Sequence, residues 1–221
     1  MKRATSAHKE KILQLYFDAF REVPGIVWIT GGGVNNDKKV RHLMEFAYET
    51  TNQMGEIWMS DDEKAVAFMF YWHKRKPNLY TLWLNLKLIF QVVGLGRTLE
   101  IMRREHMIQQ ERPQNEPYIY LWFIACQSDR TGMESMCDLK NGLFTKAYEE
   151  RLPIYAETTV EKVVNTYIRY GFRQFYTWKN SERNVNVHFF RREPVPEGIT
   201  CNHIANELPE HQVNRAESLS A

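Results

Sequence analysis

The chain has 221 residues, 43% hydrophobic and 13% aromatic, which suits one packed domain and excludes a disordered one. Its net charge of +2 gives no compositional argument for nucleic acid. Three widely spaced cysteines (Cys126, Cys137, Cys201), a basic N-terminus with no apolar segment behind it, and no apolar run near the roughly 20 residues of a membrane span lead to the expectation of a reduced, soluble, cytoplasmic protein with no membrane partner.

Ile12, Leu15, Tyr16, Ala19 and Phe20 recur at helical spacing, predicting a first helix that ends before Pro24. The stretch "WITGGGVNNDKK" (28–39) reads as a loop, its three glycines permitting unusual backbone angles. A second helix is expected over about 40–52. "GEIWMS" and "AVAFMFYW" flank the polar turn "DDEK" (61–64), the pattern of a β-hairpin. Leu86, Ile89, Phe90 and Val93 predict a short helix, and "GLGRT" leads into another. Leu99 and Met102 are expected to face inward there, with Arg97, Arg103 and Arg104 largely solvated.

From Pro117 strands alternate with helices: "YIYLWFIAC", a helix over 134–151, "PIYAETT", a helix over 160–170, then "FRQFYTW" and "VNVHFF". Strand, helix, strand implies a parallel βαβ unit with a right-handed crossover, inside an otherwise antiparallel mixed α/β sheet. Residues 1–192 form the expected domain. The proline-bearing polar segment 193–221 is expected to be a flexible tail.

No pair of the seven histidines is spaced i, i+4 and no paired-cysteine spacing occurs, so no metal site is expected. No G-x-S-x-G is present, and Cys126 and Cys137 read as small buried thiols at a strand end and in a helix. The run "HKRK" (73–76), with Arg97, Arg103 and Arg104, is a basic patch that could meet acidic ligands, though such a run is more often a solvated hairpin end. "GLG" (94–96) is too short for a dinucleotide fingerprint and reads as a turn.

The span "YLWFIACQSDRTGMESMCDLK…RLPIYAETTVEKVVNTYIRYGF" (120–172) resembles the conserved half of the GNAT superfamily of acyl-CoA N-acyltransferases: strand, phosphate loop, helix, strand, helix and an aromatic-glycine-phenylalanine turn, here "YGF". "MKRAT", "MSDD" (59–62) and "LKLIFQVVGL" (86–95) are similar to a bacterial branch, so the likeness covers about 1–192. It implies a GNAT-like mixed sheet flanked by helices, and transfer of an acyl group from acetyl-CoA to a small-molecule or protein amine, with no nucleic-acid partner. Ile124 and Cys126 would line the cofactor strand, and Thr131, Gly132, Met133, Glu134, Ser135 and Met136 would form the pyrophosphate loop. Val163 stands where relatives often carry an asparagine that contacts the cofactor.

The resemblance makes Tyr167 the acid that protonates the leaving thiolate, or else a packed aromatic. Glu157 is a base, or else a structural strand-end carboxylate. Against the loop pattern [Gln or Arg]-x-x-Gly-x-[Gly or Ala], Glu134 and Met136 take the two small positions. A carboxylate about 5 Å from a pyrophosphate charge opposes it by roughly 1–3 kcal/mol. The alternative to a transferase is therefore a GNAT-fold protein that has lost CoA binding and acts as a binding or regulatory module. In the family the acceptor is set by the first half, where "WITGGGVNN" is this chain's version.

Overall fold

Every residue from Ala65 to Tyr71 is buried. A strand covered on both faces belongs in the interior of a sheet, and this one lies there, between two other strands. The computed structural model describes residues 1–180 and 185–196. Among them the strands are β1 (Lys2–Arg3), β2 (Glu56–Met59), β3 (Ala65–Tyr71), β4 (Ile119–Cys126), β5 (Ile154–Thr158), β6 (Arg173–Asn180) and β7 (Val185–Arg192). They form one seven-stranded sheet in the order β1-β2-β3-β4-β5-β7-β6. Only β4 and β5 are parallel, and the remaining pairs are antiparallel.

The helices are α1 (Lys9–Phe20), α2 (Pro24–Thr30), α3 (Asn36–Met54), α4 (Leu79–Leu88), α5 (Leu95–Gln110), α6 (Arg130–Glu149) and α7 (Glu161–Arg169), with a wider π turn at Ile89–Val93 between α4 and α5. One core layer joins Ile12, Tyr16, Val40, Met44, Phe68 and Val92 on the side of α1 and α3. The other joins Ala67, Met69, Leu121, Leu139, Leu143 and Phe190 on the side of α6 and α7. Alternate residues of each strand supply the two layers, as a pleated strand requires.

Several sequence expectations are corrected. Residues 28–30 are the last turn of α2 rather than loop. Pro24 opens this helix with its fixed φ, and Gly31 closes it at φ 80°. Gly32 and Gly33 also take positive φ. Leu99 and Met102 point outward, because α5 buries Ile101 and Ile108 instead. Leu86 and Phe90 are exposed as well. Arg104 is largely buried over Trp28 rather than solvated. Cys137 is exposed and Cys126 half-buried, so neither is a fully buried thiol. Helix α6 starts at Arg130, four residues before the expected start, which has consequences for the site. Cys201 and the tail from residue 197 lie outside the described residues.

Candidate functional site

Strands β4 and β5 pair only at Ile119–Ile154, Tyr120–Tyr155 and Leu121–Ala156. Beyond Leu121, β4 stays with β3, and beyond Ala156, β5 stays with β7. The two parallel neighbours therefore part. At that point the register against β3 steps from Met69–Leu121 to Phe68–Phe123, leaving Trp122 as an extra residue in a β-bulge. Tyr16, fully buried, sets its hydroxyl between the carbonyls of Val66 (3.1 Å) and Phe123 (3.2 Å), which holds the bulged segment against α1.

On the α6 and α7 side, the parted strands open into an apolar cleft of about 240 Å³. Its walls include Ile124 and Cys126 from β4, Met136 and Lys140 from α6, and Val163 and Tyr167 from α7. Tyr167 is buried, stacked on Phe190 at 4.9 Å and edge-on to Phe172. Its hydroxyl has no hydrogen-bond partner among the described residues. Burial, and then the Glu157 charge, raises its pKa well above the ordinary tyrosine value. The Lys140 ammonium lies over the Phe144 and Tyr170 rings.

On the opposite face, Glu157 accepts a hydrogen bond from the Tyr120 hydroxyl. Its other carboxylate oxygen is out of contact with solvent and unpartnered among the described residues. Burial raises the Glu157 pKa, and the Arg112 cation and the Tyr120 hydroxyl only partly oppose it. Arg112 is 4% exposed, its guanidinium 3.9 Å from the Tyr120 ring centre and 4.6 Å from that of Trp72. Arg112 Nε and Nη1 and the Tyr118 hydroxyl are also buried without partners. Helix α2 approaches this face from above: the Gly25 amide donates to Thr159 Oγ1 at 3.3 Å, just beyond β5. A Cβ at Gly25 would lie 2.8 Å from that oxygen, so a side chain there would push Thr159 aside.

No protein-family model matches the chain, and no curated protein matches it in sequence. Solved structures do match. A structure described as histone acetyltransferase HPA2 and related acetyltransferase, from Corynebacterium glutamicum, aligns over 89% of this chain and 97% of its own, with TM-score 0.62 and 19% identity. The chain has the GNAT fold. The C-terminal condensation domain of Ebony, in complex with beta-alanyl-dopamine, aligns over 87% of this chain and 97% of its own at TM-score 0.60 and 8% identity. Arylalkylamine N-acetyltransferase 2 from Aedes aegypti aligns over 88% and 98% at TM-score 0.54 and 10% identity.

Within this GNAT fold the sequence candidates divide into three groups. Ile124, Cys126, Met136, Val163 and Tyr167 come together around the cleft. Glu157 lies across the sheet from them. Thr131, Gly132, Met133, Glu134 and Ser135 are not loop residues at all, since the connection from β4 is only residues 127–129 and α6 has begun. Met133 is exposed, and Glu134 points to solvent, where it accepts from Arg130 Nε at 3.1 Å. Glu134 is thus solvent-exposed and partly neutralised by Arg130.

The carboxylate that occupies the helix start is Asp129. It caps α6, accepting from the Gly132 amide at 2.7 Å and from the Thr131 hydroxyl at 3.0 Å. The Gly132 amide and then the Thr131 hydroxyl lower its pKa. Ser135 donates to Asp62 at 2.6 Å, from the turn between β2 and β3. That bond, with a second from Ser60, lowers the Asp62 pKa to about 2. Lys64 donates to Thr131 Oγ1 at 2.8 Å. Gly132 also has a packing reason to be glycine, because a Cβ there would lie 2.2 Å from the Gln127 carbonyl oxygen. Sequence reasoning gave Arg112 and Tyr120 no role, and gave Asp129 none as a helix cap. For Asp129 the signal was present, an aspartate directly before a helical run.

Among the described residues no group of three or more His, Cys, Asp or Glu side chains is placed to hold a metal ion.

Proposed function

We propose that this chain is an N-acyltransferase that takes an acyl thioester into the cleft between β4 and β5 and an amine from the opposite face of the sheet. The observation that carries the reading is the parting of β4 and β5 with unlike groups on the two faces of the sheet: an apolar cleft bearing Tyr167, and across the sheet the buried polar cluster of Glu157, Tyr120 and Arg112. Acetyl-CoA is the donor that the fold implies. Its two ends fare differently. The apolar walls, with Lys140 beside them, suit a pantetheine arm. The pyrophosphate end is ill matched, because the Asp129 carboxylate already takes the Gly132 amide and a second ionised carboxylate, Asp62, stands on Ser135. No part of the reaction is therefore routed through the nucleotide, and the arm supplies most of the donor's hold.

When bound, a thioester supplies an electrophilic acyl carbonyl. The rest falls to this chain's residues. Glu157, with its raised pKa and a free oxygen, receives the proton that the amine must lose, and the Tyr120 hydroxyl fixes its orientation. Arg112 keeps a compensating positive charge close to the buried carboxylate. Tyr167, held protonated by burial, has an O–H free to give its proton to a thiolate on the cleft side. The aromatic and aliphatic walls limit water, which favours amine over hydrolysis.

One observation favours the second reading, a GNAT-fold module without CoA binding: the helix start is capped by the chain's own carboxylate. Calorimetry with acetyl-CoA and with S-acetylpantetheine separates the two readings. The transferase reading expects both to bind with similar affinity, since the nucleotide adds little. It also expects thiol release with an amine panel that falls in Glu157→Gln and loses its dependence on a group titrating above the usual carboxylate range. No heat from either ligand at millimolar concentration would leave only the module.

A further inference from the structure

Nine of the thirteen exposed large apolar side chains among the described residues fall between Leu79 and Met102. On α4 and the π turn, Leu79, Leu82, Leu86 and Phe90 are 47–85% exposed at i, i+3, i+7, i+11 spacing, one helical stripe. On α5, Leu95, Leu99 and Met102 repeat the pattern at 59–72% exposed. The inward faces of the same segments are apolar too, with Leu84, Val92, Val93 and Ile101 buried in the core. A helix apolar on both sides is ordinarily covered on both, and exposed apolar stripes of this kind mark a docking face.

Charge identifies the occupant. Residues 73–104 hold seven lysines and arginines and one carboxylate, Glu100; of the seven, Arg75 and Arg104 turn inward over Trp72 and Trp28. Some of these cations have partners, such as Lys87 with Glu45 at 3.8 Å and Arg97 with Glu100 at 3.8 Å. Lys76 and Arg103 are exposed and meet no carboxylate among the described residues. A second copy of the chain would bring the same positive excess to the same face, and the like charges would repel. An anionic lipid surface answers both features: headgroups meet the basic side chains while the apolar stripe enters the acyl boundary. No single helix is long and apolar enough to cross a membrane, and a 118° bend folds α5 back from the segment Leu79–Val93.

We infer that the outer faces of α4 and α5 dock the protein on an anionic membrane surface. Arg104 on α5 and Arg112 just after it both act on the Glu157 carboxylate, so α5 lies on the Glu157 side of the sheet. The inference stands on exposure and charge and does not depend on the acyltransferase reading.

Flotation of the full chain with phosphatidylcholine vesicles, with and without phosphatidylserine, tests it. Binding is expected to the phosphatidylserine vesicles, to weaken with added salt, and to fall on the order of twentyfold or more in Lys76→Glu/Arg103→Glu. It is also expected to be lost in Leu82→Ser/Leu86→Ser/Phe90→Ser, with circular dichroism reporting that the variant is folded. If the triple variant does not fold, the charge-reversed pair decides alone, since neither side chain is buried. Absence of binding to any vesicle at low salt, or binding that both variants retain, overturns the proposal. So does a dimer in light scattering that Phe90→Ser dissociates while no vesicle is bound.

Discussion

Replacing Gly132 by alanine sets two physical effects against each other at the third residue of α6. Helix propensity alone favours alanine by about 1 kcal/mol. The fold opposes it, because the added Cβ would lie 2.2 Å from the Gln127 carbonyl oxygen and 2.8 Å from its carbon. Both are backbone atoms at the exit of β4 and cannot swing aside. Relieving the overlap needs a shift of about 1 Å between strand exit and helix start, at an overpacking cost of roughly 1–3 kcal/mol, occasionally more. It also strains the 2.7 Å bond from the Gly132 amide to Asp129. The net expectation is a loss of about 1–2 kcal/mol, which for a chain of this size lowers Tm by roughly 2–8 °C. Differential scanning calorimetry of Gly132→Ala measures it. An unchanged or raised Tm would refute the claim that this glycine is kept for packing of strand on helix.

Asp129→Ser keeps a cap acceptor for the Gly132 amide while removing the negative charge, and is expected to tighten CoA binding by about fivefold or more in calorimetry; an unchanged affinity would mean that the nucleotide does not approach α6. Tyr167→Phe keeps the ring stacked on Phe190, so Tm should hold, while thiol release falls by about a hundredfold if the hydroxyl is the acid. Equal activity in the two proteins would make Tyr167 a packing residue. Because the folded pKa of Asp62 is depressed to about 2 from 3.8, its stabilising bond to Ser135 is present above the unfolded value and is lost as pH falls through the folded one. Asp62→Asn should therefore flatten the acid limb of the stability curve between about pH 4 and pH 2, and a limb identical to wild type would show the bond to be unimportant.

The order of elements from β2 to β7 was legible in the chain, because period-2 and period-3.6 apolar patterns are local and strong there. The βαβ unit and its closing "YGF" turn were likewise carried by contiguous residues. Helix α2 was hidden, since its short run ends in glycines that read as loop. Which way Leu99 and Met102 point depends on which neighbours α5 meets. Leu99, Met102 and Ile101 are all apolar, and only packing against the core selects Ile101.

The site shows the same division. Tyr167 and the cleft strands could be found from the motif, but the buried polar cluster assembles Arg112, Tyr120 and Glu157 from three separate segments. Register between β4 and β5, not spacing in the chain, brings Tyr120 to Glu157. The helix start is a finer case. The resemblance in sequence suggests this helix start as the place where an anion would lie, and names Glu134 and Met136 as the obstacles. The tertiary structure leaves Glu134 in solvent and sets Asp129 on the first amides of α6, because a helix joined to its strand by only three residues must satisfy those amides with whatever acceptor the short connection holds.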